Sequence, residues 1–159
     1  MNKFLIMTLI LLFQISSGQE INNAQFQLDI NIAEGDRNFE QANFDSSLHY
    51  FAKAHILAEI ANDSLKLTQL TRKKGQIYEL QGNYSAALTQ YLTAISYSNE
   101  TNQIYERGLC YLGLSNVNFR IANTEMALTD GIEAITIFKT LNDTLNYIRG
   151  LELIAHILR

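Results

Sequence analysis

An internal period of 40 residues constrains this chain more than any single motif in it. Ser47, Ala87 and Ala127 share one phase of the period, Ala54, Ala94 and Ala134 another, and Leu48, Leu88 and Leu128 a third. Gly35, Gly75 and Ser115 recur in the same way, as do Ala42, Gly82 and Ala122. Polar turn residues follow the period too, as Asn43, Asn83 and Asn123 and as Asn62, Asn102 and Asn142. A repeat of this length marks a fold in which one unit cannot bury its own apolar face, so neighbouring units stack to form the core. The stretch Gly75–Ala94 carries the pattern most fully, with small residues at Gly75, Gly82, Ala87 and Ala94 and rings at Tyr78, Tyr84 and Tyr91. Two short helices that cross closely need this mixture. Small side chains let the backbones approach, and rings fill the wedge beside them.

The units read as helical. Proline is absent from all 159 residues, although average usage of about 5% would supply roughly eight, and uninterrupted helices explain that best. The pattern predicts helices over Asn22–Gln41, Phe44–Ala61, Ser64–Gln81, Tyr84–Ser98, Gln103–Ile121, Thr124–Leu141 and Thr144–Leu158. Asn43, Asn83 and Asn123 stand where second helices begin, and such residues accept bonds from the unpaired N–H groups of a first turn. Asn62-Asp63-Ser64 and Asn142-Asp143-Thr144 are expected to do the same before first helices. Neither a linker nor a low-complexity tract interrupts the series.

These residues carry a resemblance to the tetratricopeptide repeat, a helix-turn-helix unit with the pattern W-x2-L-G-x2-Y, then A-x3-F, then P. The middle repeat matches best, with Gly75, Tyr78, Ala87, Tyr91 and Ala94 in phase. The first keeps Gly35, Phe51 and Ala54 but has Asn38 and Ser47 at two of the positions. The third keeps Ala127 and Ala134, with Ser115 for the glycine and Gly131 for the second aromatic. The first tryptophan and the closing proline are absent throughout, and the period exceeds the usual 34 residues. In its length the repeat is similar to the extended subtype found in bacterial signalling regulators and in some animal scaffold proteins. The resemblance implies an all-α fold, a right-handed α-solenoid of three stacked repeats at about 22–62, 63–101 and 102–142, with a half repeat at 143–159. It also implies a concave face lined by the first helix of each pair.

Residues 1–18 are sequence of another kind. Lys3 precedes an apolar run from Phe4 to Phe13 broken only by Thr8, and Ser16-Ser17-Gly18 supplies small residues before Gln19. This is the pattern of a secretory signal peptide cut ahead of Gln19. The run of about ten apolar residues is short of the roughly 20 that a spanning helix needs. A domain over 19–159, exported to the periplasm or secreted, is therefore expected. No cysteine follows the run to take a lipid anchor.

Little in the chain suggests catalysis. The 12 basic and 16 acidic residues give a formal charge of -4 without a basic cluster beyond Arg72-Lys73-Lys74, which argues against nucleic-acid partners. One cysteine, Cys110, forms no internal disulfide and no cysteine-based zinc site. It reads as a buried, inert thiol. His49 and His55 are six apart, a poor helical spacing for a shared metal, and His55 has only Glu59 at i+4. Neither a phosphate-binding glycine loop nor a nucleophile elbow is present. The expectation is a non-enzymatic interaction scaffold with no cofactor.

If the family phase holds, each first helix turns one stripe inward. The stripes are Asp29, Ile32, Asp36 and Phe39; Gln69, Arg72, Gln76 and Glu79; Leu109, Leu112, Asn116 and Phe119; and Arg149, Glu152, His156 and Arg159. Residues three and four apart share a helix face, so a groove built on Phe39, Arg72, Gln76, Asn116, Phe119 and Arg149 would suit a protein or peptide ligand. The alternative is that the apolar members are packed between units. An array of this type is expected to be the sensing part of a signalling protein, with a free periplasmic adaptor or assembly chaperone as the second reading. The last helix holds Leu151, Leu153, Ile154, Ile157 and Leu158, so one flank should stay apolar and open. Self-association, or a continuing chain, would cover it.

Overall fold

A computed structural model describes residues 23–159, and the secretory-leader reading falls on residues 1–18, outside them. Among the described residues there are seven α-helices and no strand. They are α1 (23–40), α2 (Phe44–Ile60), α3 (Ser64–Leu80), α4 (Tyr84–Glu100), α5 (Ile104–Arg120), α6 (Thr124–Thr140) and α7 (Thr144–Ile157). Helix starts therefore recur every 20 residues from α2 onward, and each predicted helix agrees with its observed bounds to within two residues. No helix among the described residues is long and apolar enough to cross a membrane.

The turns explain this regularity. One residue in each adopts the left-handed conformation: Ala42 (φ 57°), Asn62 (52°), Gly82 (73°), Asn102 (54°), Ala122 (61°) and Asn142 (55°). The residue after it sends its N–H back across the helix end, as Asn43 to the Asn38 carbonyl at 2.8 Å, Asn83 to Tyr78 at 2.8 Å and Asn123 to Asn118 at 2.8 Å. That is the Schellman closure of a helix C-terminus, and the donor residue is at the same time the N-cap of the next helix. Two caps thus fit into three residues. Asp63, Asn83 and Asp143 accept from the N–H groups of Lys66, Ala86 and Asn146, whereas Asn43 and Asn123 make no side-chain cap bond. Asn62 and Asn142, read from the sequence as part of the caps, are instead the left-handed residues, a conformation asparagine tolerates better than most.

The described chain divides into two compact units, one up to Ala61 and one from Asn62 to Arg159. In the first, the Ser47 hydroxyl donates to the Gly35 carbonyl at 2.8 Å, and a Cβ at Gly35 would stand 2.4 Å from the Phe51 ring. In the second, consecutive helices pack in series from α3 to α7, and α5 also touches both α3 and α7. Its core holds Ala87, Tyr91, Ala94, Ile95, Cys110, Leu114 and Val117, flanked by Tyr78, Tyr84, Leu88 and Tyr111. Tyr91 of α4 is wedged between two glycines. A Cβ at Gly75 of α3 would lie 3.0 Å from its ring, and one at Gly113 of α5 would lie 2.3 Å away. In the next pair Ser115 donates to the Ala127 carbonyl at 2.7 Å. There Gly131 stands where Phe51 and Tyr91 stand in their pairs, and Ile154 of α7 comes within 3.0 Å of where its Cβ would be. The missing ring is replaced by a side chain from the following helix.

Left-handed residues with a Cβ cost about 1–2 kcal/mol, while glycine gives some of that back through its freer unfolded chain. A Cβ at Gly82 would meet nothing within 4 Å, so its replacement tests the backbone alone. Gly82→Ala is expected to lose about 1 kcal/mol net, and Ala122→Gly to gain up to about 1 kcal/mol, in chemical denaturation. An Ala122→Gly variant that unfolds more easily than the parent would contradict the turn geometry.

Candidate functional site

Steps of three and four along α3, α5 and α7 bring one stripe from each helix to a common cleft of about 260 Å³. Arg72, Gln76, Glu79 and Leu80 line it from α3; Leu109, Leu112, Gly113 and Asn116 from α5; Asn146 and Arg149 from α7, with Tyr91 reaching in from α4. A second cavity of about 300 Å³ shares Glu79, Leu80 and Asn116 and extends to Tyr84 and Arg120.

Two carboxylates knit the walls together. Glu106 of α5, nearly buried, accepts from Arg72 Nε at 2.7 Å and from Gln69 Nε2 at 3.1 Å, so both of its oxygens are engaged from α3. Glu79 of α3 accepts from the Tyr91 hydroxyl at 2.7 Å and from the Asn116 amide. Burial, and then the adjacent Glu79 charge and the hydrogen bond to it, hold the Tyr91 phenol far above its ordinary range. It therefore remains a donor to Glu79. On α7, Arg149 donates to Asn146 Oδ1 at 3.3 Å, and Asn146 donates to Asp143 at 2.7 Å. The acids at the cleft are thus engaged internally, while Gln76 and Arg149 present exposed polar ends beside Leu109 and Leu112.

Four of the six residues expected to form a groove, Arg72, Gln76, Asn116 and Arg149, line this cleft. Phe119 is half-buried and turns its edge to the His156 ring, with centroids 5.0 Å apart. Phe39 belongs to the first unit, where its ring lies 6.1 Å from that of Phe44. The sequence reading placed Glu79 on the stripe but did not single it out, and it missed Tyr91, Glu106 and Asn146. The signal was faint: Gln69, Arg72 and Glu79 stand 34 to 37 residues from their partners Glu106 and Asn116, close to one period.

Cys110 is fully buried, and burial pushes its thiol up to about 12, Arg72 lowering it and Glu106 raising it. It is no nucleophile at neutral pH. His55 Nδ1 lies 3.5 Å from Glu59, an i,i+4 contact on one helix. Among the described residues no group of three His, Cys, Asp or Glu side chains could hold a metal ion.

Removing one member of a buried ion pair strands the other, at a typical cost of 3–5 kcal/mol, whereas replacing both can be neutral. Arg72 side-chain exposure is 17% and that of Glu106 is 7%. Arg72→Met should therefore destabilise by several kcal/mol, roughly 3, and the double variant Arg72→Met/Glu106→Leu should recover most of the loss. Equal stability of Arg72→Met and the parent in urea unfolding would show that the pair does not tie α3 to α5.

Comparison with protein-family models finds no match, and comparison with curated proteins finds none either.

Proposed function

We propose that the chain is an extended tetratricopeptide-like array, a right-handed α-solenoid, and that it works as a non-enzymatic protein-interaction scaffold. In this reading it is the extracytoplasmic peptide-binding or sensing part of a signalling protein, exported by its leader. The observation that carries the proposal is the cleft in which Arg72, Gln76, Asn116 and Arg149 meet Leu109 and Leu112. Apolar side chains flanked by fixed polar groups suit an extended or helical peptide with apolar anchors. The 20-residue recurrence of helix starts and turns supports the family reading, because equal helix pairs stacked in one direction build such arrays.

Arg72 is a poor probe of binding, since its loss would strand Glu106. Gln76 and Arg149 are exposed and can be changed without opening the core. Gln76→Trp would fill the cleft and Arg149→Glu would invert its charge. Each is expected to weaken capture of the native partner by about tenfold or more, the effect of losing one strong interface contact, with helical circular dichroism unchanged. Undiminished capture by both variants would remove the cleft from the binding surface.

A further inference from the structure

We propose that the cavity beside the cleft, between the α3–α4 turn and the end of α5, binds a free α-amino acid with an apolar side chain. It measures about 300 Å³ and is lined by Glu79, Leu80, Gly82, Tyr84, Asn116 and Arg120. Ligand cavities run from about 300 to 1,000 Å³, so this one suits a small molecule rather than a length of chain.

Two opposite charges line the cavity without pairing. Glu79 accepts from the Tyr91 hydroxyl at 2.7 Å and from the Asn116 amide, both neutral donors. Among the described residues neither Glu79 nor Arg120 forms an ion pair, whereas Arg72 in the cleft is paired with Glu106. A carboxylate has about four acceptor positions, so Glu79 keeps room for a further donor, and an ammonium would also balance its charge. On the other side of the ledger, the Arg120 guanidinium, the Tyr84 hydroxyl and Asn116 Oδ1 make no hydrogen bond among the described residues. A carboxylate would answer Arg120. A ligand that carries ammonium and carboxylate close together satisfies both charges at once, while a lone cation or anion leaves one unanswered. Leu80, 57% exposed, and the Tyr84 ring supply apolar surface beside these groups, which favours an apolar side chain.

The internal period marks the same two residues. Glu79 stands where the flanking repeats have Phe39 and Phe119, and Arg120 stands where they have Glu40 and Leu80. Rings serve the repeat at the first of these positions, so its packing does not call for a carboxylate there. Departures from a local rule of this kind collect at functional sites. Arg120 also lies in the last turn of α5, where a cation suits the helix end. That accounts for its sign but not for its place on the cavity that Glu79 lines. The site shares Glu79 and Asn116 with the cleft, yet it rests on its own charges and not on what the cleft binds.

Calorimetric titration of the full chain with L-leucine tests this. L-leucinamide, which lacks the carboxylate, and N-acetyl-L-leucine, which lacks the ammonium, serve as comparison probes. L-leucine is expected to bind one to one with millimolar or tighter affinity, and each comparison probe about tenfold or more weakly, the effect of losing one charge-assisted contact. Arg120→Gln, at an exposed site, should weaken L-leucine by the same factor and leave L-leucinamide unchanged. Glu79→Gln should weaken L-leucine and leave N-acetyl-L-leucine unchanged, with circular dichroism confirming that both variants fold. Should Glu79→Gln unfold, the blocked probes and Arg120→Gln decide the matter by themselves. Absence of saturable L-leucine binding overturns the proposal. So does L-leucinamide binding as tightly as L-leucine, or an Arg120→Gln variant that binds L-leucine like the parent.

Discussion

The close crossing of two helices over a pair of small residues is the constraint on which the rest depends. It is seen in the hydrogen bonds of Ser47 to Gly35 and of Ser115 to Ala127, and Gly75 and Ala87 hold the equivalent positions in the middle pair, each pair 12 residues apart across a three-residue turn. Contact this close turns each glycine into a packing surface. A ring laid on Gly75 and Gly113 at near-minimum distance buries apolar area on two helices at once. A methyl group inserted there would push the helices apart rather than fill a void, since interiors of this density have little slack. Where the crossing carries a serine, the hydroxyl satisfies itself on the facing carbonyl, so the polar atom is not left unpaired.

From that crossing follow the turn and the site. Helices of near-uniform length can cross at the same place only if every turn has the same length and closes the preceding helix end in the same way. The left-handed residue recurring every 20 residues does this. Stacking α3, α5 and α7 beside one another then aligns their stripes, and the cleft forms where Arg72, Asn116 and Arg149 meet. Glu106 and Glu79 hold the α3 and α5 walls at fixed separation, because each accepts from the facing helix or from Tyr91. The geometry of the site is thereby coupled to the packing beneath it.

The period, helix bounds and small-residue crossings were legible in the sequence because they are local and repeat. That Arg72, Gln76, Asn116 and Arg149 line one cleft was legible for the same reason, since a stripe is set by helical spacing alone. The left-handed role of Asn62 and Asn142 was not, because asparagine suits both a cap and that conformation, and only the backbone decides between them. Ile154 in place of the ring missing at Gly131 was hidden as well. It comes from another helix, and nothing in the spacing of α6 announces it. The bonds of Glu106 to α3 and of Glu79 to Asn116 join residues 34 to 37 apart, where side-chain reach rather than repeat phase determines the partner. Phe119 shows the limit of a stripe argument, because a residue on the correct face can still spend its surface on a neighbour such as His156.

Hydrogen exchange on an Ala87→Phe variant tests the central claim most directly. Ala87 is fully buried at the middle crossing, and overpacking of this kind typically costs about 1–3 kcal/mol. Because Tyr91 bridges Gly75 and Gly113, protection should fall together in α3, α4 and α5, with a lower melting temperature. An unchanged melting temperature, or faster exchange confined to α4 alone, would contradict the dependence of the fold on that crossing.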